Sequence, residues 1–249
     1  MSPRTRHLFD PRSKEPYKIS RTRLERFLEC PRCFYLDRRL GVDRVSGPAF
    51  TLNTATDTLL KKEFDVCRAA GKQHPLMKKY KVNAVPFQHP AIDVWRENFK
   101  GVQYLHEPTN LLITGAVDDV WVNPKKELIV VDYKSTSTTK DIDLNDGTPW
   151  KEGYKRQMEI YQWLLRQNGF KVSNTGYFVY VNADTSQDAF DSKLVFEEQL
   201  IAYKGDDRWV EQAIIDAHTC LCRKKAPKGS EDCAWCAYRN TAKAALEHS

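Results

Sequence analysis

The chain has 249 residues and a formal net charge of +6, with 41% hydrophobic and 29% charged residues, the balance of an ordinary soluble globular protein. No apolar run is long enough to span a membrane, and no secretory pattern follows Met1, so the expected location is the cytoplasm. In that setting the seven cysteines are expected as thiols or metal ligands rather than disulfides.

Met1 to Arg39 holds eleven basic and five acidic residues, which is the whole charge surplus, and a basic face at one end suits a phosphate backbone. Residues 1–18 are polar with three prolines and are predicted as a flexible basic arm. Ser20 is placed to cap a helix from Thr22 to Cys30 with Leu24, Phe27 and Leu28 inward, and Pro31 begins another helical stretch. After the break at Gly47-Pro48, Ala49 to Ala70 reads as a helix with Leu52, Leu59, Leu60 and Phe64 as its apolar stripe. Gly71 to Phe99 is a connector whose His74 and His89 are read as surface or packing residues, and Gly101 to His106 reads as an edge strand.

Leu111 to Val122 is predicted as one strand containing Gly115-Ala116-Val117-Asp118, turning through Asn123-Pro124-Lys125-Lys126 into Leu128 to Val131. This last run is apolar and mostly β-branched, the pattern of a central strand buried on both faces. It ends in Asp132 and Lys134, two residues apart and therefore on one face. With Val122 opposite Leu128, Asp118 falls opposite Asp132, whereas a one-residue slip would substitute Asp119. Two facing carboxylates repel, and an oxygen-ligated Mg²⁺ or Mn²⁺ between them removes that penalty. Trp150 to Gln167 reads as a helix with Tyr154, Gln157, Tyr161 and Leu164 on one face, stopped at Gly169. Strands are expected at Gly176 to Val181 and Lys193 to Gln199, and an amphipathic helix within Gly205 to Cys222, with Trp209, Ala213, Ile214 and Ala217 inward.

Gly-x-x-Asp118, then Asp132-x-Lys134, then Gln157-Met-Glu-Ile-Tyr161 resembles the PD-(D/E)XK nucleases, and within them the RecB-like branch that includes the CRISPR adaptation nucleases. Ser20 to Tyr35 and Cys233-Ala-Trp-Cys236-Ala-Tyr238 are similar to that branch's terminal segments. The resemblance implies one α/β domain with a restriction-endonuclease-like core, a mixed central sheet flanked by helices. It implies a Mg²⁺- or Mn²⁺-dependent nuclease hydrolysing phosphodiester bonds of single-stranded or end-containing DNA, in repair, recombination or defence. The metal would lie on Asp118, Asp132 and the Tyr133 carbonyl, with Lys134 as the charged donor and Gln157 and Tyr161 as positioning groups. Asp57 stands where that branch usually carries a histidine ligand, and reads either as a third ligand or as a surface acid paired with Lys61 at i,i+4. Arg21, Arg23 and Arg26, or else Lys155 and Arg156, are the expected DNA contacts.

Cys30-x-x-Cys33 and Cys233-x-x-Cys236 have metal-ligand spacing. Relatives with a [4Fe–4S] cluster use one N-terminal and three C-terminal cysteines. Cys30, Cys233 and Cys236 match that pattern, and Cys220 or Cys222 would complete it, so residues 20–40 and 218–240 are expected to form a cysteine metal-binding subdomain. Zinc on the two C-x-x-C pairs is the other option, and Cys67 is read as a packing thiol. The alternative function is a nucleic-acid-binding protein that keeps a weakly active or inactive nuclease fold.

Overall fold

The computed structural model describes residues 3–247. In chain order the elements are β1 (Tyr17–Ser20), α1 (Arg21–Glu29), α2 (Pro31–Leu40), α3 (Thr51–Ala69), α4 (Pro75–Lys79), β2 (Val85–Pro86), α5 (Ile92–Arg96), β3 (Val102–His106), β4 (Leu111–Gly115), β5 (Asp119–Val122), β6 (Leu128–Thr136), α6 (Pro149–Gln167), β7 (Thr175–Ala183), β8 (Phe196–Lys204), α7 (Val210–Cys222) and α8 (Ala234–Glu247). A single-turn 3₁₀ helix, Glu107–Thr109, joins β3 to β4. The fold class is mixed α/β, as expected, but the chain divides into two compact units rather than one.

The first unit comprises the chain up to Pro48, Tyr104–Thr114, and everything from Arg208 onward. Its sheet has the order β1-β4-β3, with β1 parallel to β4 so that Ile19 pairs with Ile113, both fully buried. Pro31 occupies the first turn of α2, where its missing N–H costs nothing, and Gly41 ends that helix in the left-handed conformation at φ 70°. The segment read as a flexible arm is packed in this unit. Phe9 is buried against Tyr17, and the Arg4 backbone N–H donates to the Gly41 carbonyl at 2.9 Å.

Asp37 explains much of that order. Its carboxylate is fully buried and is ion-paired by Arg4 at 3.2 Å, Arg23 at 2.7 Å, Arg26 at 3.4 Å and Arg38 at 2.6 Å. Arg23 and Arg26 also reach Asp43. A buried carboxylate is tolerable only when compensated in this way.

The second unit comprises Ala49–Gln103 and Gly115–Asp207, around a five-stranded sheet of order β2-β5-β6-β7-β8. β5 and β6 are antiparallel with Val122 opposite Leu128, the expected register. β6 and β7 are parallel, as strands joined through a helix such as α6 can be. Ile129, Val131 and Tyr133 join Phe64, Trp121, Val179 and Val181 in one core cluster. By alternation Val130, Asp132 and Lys134 point to the opposite face.

Four expectations need revision. The predicted strand Leu111 to Val122 is two strands, β4 and β5, in different sheets, because the chain leaves extended pairing over residues 116–118. β3, expected beside the hairpin, is the edge of the three-stranded sheet, and the two-residue β2 takes the place next to β5. Leu52 and Leu59 are 67% and 62% exposed, so only Leu60 and Phe64 of the proposed α3 stripe are core. β8 begins at Phe196 rather than near Lys193, because Asp191 and Ser192 adopt positive φ in the preceding turn. The histidines are packing groups, as expected: His74 stacks on Phe64 and reaches Glu63 at 2.7 Å, and His89 stacks on Trp95.

The Asp37 network yields a stability test. Asp37→Ala leaves several guanidinium groups without their shared partner and should cost about 3–5 kcal/mol. Urea unfolding followed by circular dichroism measures it, and a loss under about 1 kcal/mol would class these contacts with ordinary surface pairs.

Candidate active site

β6 delivers two charged groups to one face at the end of its buried run. Asp132 is fully buried and Lys134 is ion-paired to it. Burial alone would lower the Lys134 pKa, but the negative charges of Asp132 and then Asp118 outweigh it and raise the value, so the amine stays protonated. The other oxygen of Asp132 accepts from the Gln157 side-chain amide at 2.5 Å, and the same amide lies 3.3 Å from the Tyr161 hydroxyl. Gln157 and Tyr161 lie one helical turn apart on α6, as the Gln-x-x-x-Tyr spacing requires. Gln157 contacts the acid Asp132, and Tyr161 contacts Gln157. Gly115 serves the same assembly: a Cβ there would lie 2.6 Å from the Tyr161 ring.

Asp118 stands at the bend just before β5. Extending the β5–β6 register by one step sets it opposite Asp132, and its Oδ2 accepts from the Tyr133 backbone N–H at 2.9 Å. Asp119 points the other way and is fully buried. It accepts from Arg68, from Arg96 at 2.9 Å, from the Tyr133 hydroxyl at 3.0 Å and from Trp121 Nε1 at 3.3 Å. The parity expected from sequence therefore holds, and the neighbouring acid has a structural task that sequence reasoning missed. An acid two residues before a buried tryptophan was its available signal.

Asp57 on α3 belongs to the same neighbourhood. Lys61 Nζ lies 2.8 Å from Asp57 and 3.8 Å from Asp118, so the i,i+4 pair exists and also spans to the hairpin acid. Burial first, and the Asp118 charge second, raise the Asp57 pKa above the usual carboxylate value. Among the described residues Asp57, Asp118 and Asp132 do not gather as one ligand group; Lys61 pairs with Asp57 and Asp118, and Lys134 with Asp132. Their chemistry nonetheless fits a hard divalent cation, because the donors are all oxygen.

Aromatic groups flank the lysine. The Tyr154 ring lies 4.2 Å from Lys134 Nζ, and Trp150 meets Tyr154 edge-on at 5.2 Å while remaining 54% exposed. Tyr154 had been read only as a helix-face residue and Trp150 only as a helix start. Their spacing of about one and two turns before Gln157 was the usable signal. Lys155 pairs with Glu152 at 2.8 Å and Arg156 is half-buried on α6. Arg23 and Arg26 are engaged by Asp37 and Asp43, and Arg21 opens α1.

The cysteines gather differently from the expected set. Cys30, Cys33, Cys233 and Cys236 are buried, with their sulfurs all within 4.8 Å of one another. Cys33, not Cys220, is the fourth member, and the Cys220 thiol instead lies 3.7 Å from the Pro31 carbonyl. Burial pushes the Cys30 thiol up, but the backbone N–H groups of Cys33 and Ser230 and then the neighbouring thiols bring it below its ordinary value. Burial and those same neighbours push Cys236 up.

The family description "PD-(D/E)XK nuclease superfamily" matches residues 53–241, well over half of the sequence, and the chain belongs to that superfamily, whose members are metal-dependent nucleases. Two solved structures are similar to it. One is described as SSO0001, at 19% identity over 86% of this chain and 81% of that one, with a TM-score of 0.39. The other is a phage-related exonuclease from Haemophilus somnus 129PT, at 15% identity over 77% of each chain, with a TM-score of 0.37. Comparison with curated proteins gave no match. No helix among the described residues is long and apolar enough to cross a membrane.

The two neighbouring acids should separate in experiment. Asp119→Ala removes the buried carboxylate that Arg68 and Arg96 share, leaving them only the half-exposed Asp65, and should cost about 3–5 kcal/mol or prevent folding. Asp118→Asn should leave unfolding in urea nearly unchanged while abolishing cleavage. A folded, active Asp118→Asn protein would reverse the assignment. Asp57 gives a pH test. Its raised folded-state pKa means stability is fully present below the unfolded pKa and declines as pH rises through the folded value. Asp57→Asn should match the parent at the acid end and be more stable at neutral pH, measured by thermal melts across pH.

Proposed function

We propose that the protein is a Mg²⁺- or Mn²⁺-dependent deoxyribonuclease that hydrolyses phosphodiester bonds in single-stranded or end-containing DNA. The carrying observation is Lys134, held protonated between Asp132 and Asp118 beneath the Tyr154 ring. Asp118, Asp132 and the Tyr133 carbonyl, with Asp57, are the groups that would hold the metal. When bound, a divalent ion polarises the scissile phosphate and lowers the pKa of a coordinated water. Because Lys134 is an ammonium at neutral pH, it serves as a charged donor to the phosphate oxygens rather than as a proton acceptor. Gln157 fixes the orientation of Asp132, and Tyr161 fixes Gln157.

The preference for unpaired strands is supported by Trp150. An exposed indole one helical turn from Tyr154 offers a face on which a splayed base can stack, and a duplex offers no such base. Phosphate contacts would come from Lys155 and Arg156 on the same helix, and from Arg21, Arg23 and Arg26 to the extent that they leave their acids. A second reading, a nucleic-acid binder with weak or absent catalysis, is favoured by Lys61, whose ammonium already pairs with Asp57 and Asp118.

Purified protein incubated with labelled single- and double-stranded DNA in Mn²⁺, Mg²⁺ or EDTA tests both readings. Cleavage should require the metal, and Lys134→Ala should reduce it by about 100- to 1000-fold with DNA binding retained. Trp150→Ala should cost about 1–3 kcal/mol in single-strand affinity and little in duplex affinity. Mn²⁺ at about 100 times its dissociation constant should stabilise the parent by about 2.7 kcal/mol, and Asp118→Asn far less. DNA binding without cleavage in either metal would favour the second reading.

A further inference from the structure

We infer that Cys30, Cys33, Cys233 and Cys236 form a tetrathiolate site for a single zinc ion, and that this site does not hold the four-iron cluster implied by the family resemblance. The sulfur positions are the first ground. Cys30 and Cys236 are 3.7 Å apart, Cys33 and Cys233 3.6 Å, and Cys33 and Cys236 3.8 Å. Four sulfurs around one zinc, each at about 2.3 Å, form a tetrahedron with edges of about 3.8 Å. In a four-iron cube each cysteine binds a different iron at a different corner, which sets the sulfurs much further apart.

The second ground is the pairing itself. Two C-x-x-C loops, one at the α1–α2 junction and one at the start of α8, supply two sulfurs each. The set of one N-terminal and three C-terminal cysteines does not assemble, because Cys220 lies on the Pro31 carbonyl and Cys222 is exposed, 3.6 Å from His218 Nε2. The third ground is what surrounds the sulfurs. Zinc with four thiolates carries two net negative charges. Arg239 lies 3.6 Å from Cys33 Sγ, and Arg44 hydrogen-bonds the same thiol while reaching Glu29 at 2.5 Å. The backbone N–H groups of Cys33 and Ser230 point to Cys30. This outer layer both neutralises and orients the ligands. Gly229 completes the fit, since a Cβ there would stand 2.7 Å from Cys236 Sγ.

The ion would close a loop of about two hundred residues, because Cys33 and Cys233 are 200 positions apart. Zinc binding is therefore folding free energy for the first unit, through ligands that no local sequence interaction would bring together.

Metal and acid-labile sulfide are to be counted on the full-length protein, purified with and without oxygen excluded. One zinc per chain, no sulfide and a colourless solution are expected from both preparations. Four irons with matching sulfide in the oxygen-free material would overturn the assignment, as would one iron without sulfide, or no metal at all. Cobalt(II) grown into the protein should give the intense visible bands of a tetrahedral thiolate complex, a readout that needs no substitution. Cys33→Ser should lose the zinc and Cys220→Ser should keep it. The converse result would restore the set containing Cys220. Asp132→Asn should lose cleavage and keep full zinc, which separates failure of the thiol site from failure of the nuclease assignment.

Discussion

The second unit depends on one costly arrangement, a lysine and an aspartate ion-paired at the end of its most buried strand. Neither group is tolerable there alone. Asp132 is held by Lys134 and Gln157, Lys134 by Asp132, Asp118 and the Tyr154 ring, and Gln157 in turn touches Tyr161. The pieces of the family pattern are therefore not independent residues around a ligand. They are mutual conditions for keeping two charges inside a sheet. Helix α6 has to follow β6 closely because its amide compensates the strand's acid.

Much of this was legible from the sequence. A β-branched run followed by Asp-x-Lys fixes which residues share a face, and a five-residue turn fixes what lies across the hairpin. These are local, periodic signals, and β6, α6 and the register followed them. The failures are non-local. The apolar pattern from Leu111 to Val122 continues through the bend, so nothing in it announces that β4 and β5 belong to different sheets. The α3 stripe misled because Leu52 and Leu59 obey helical spacing without any partner to cover them. The positive charge of the N-terminal segment was visible, but not that its arginines converge on Asp37, since ion pairs carry no periodicity.

The cysteines show a related limit. Spacing marks two C-x-x-C loops as ligand pairs, yet which fourth sulfur joins Cys30, Cys233 and Cys236 is a question of chain path. Cys33 shares the loop geometry of Cys30 and arrives with it, whereas Cys220 is carried by the last turn of a helix packed for other reasons. Here the symmetric reading of the sequence, two loops with two sulfurs each, was the better guide.

The turn from Asn123 to Glu127 touches none of these groups, yet it determines their chemistry. Its side chains clasp each other, Asn123 Nδ2 lying 2.8 Å from Glu127, and Lys126 accepts a left-handed backbone to close it. Asp118 and Asp119 are adjacent acids with opposite placements, one turned toward Asp132 and one locked among arginines, and only strand parity tells them apart. An inserted residue that slipped the register by one would exchange their placements, burying the acid that now faces Asp132 and exposing the one now locked among arginines. Loop length, elsewhere the most freely varied quantity in a protein, is here as tightly constrained as a catalytic side chain.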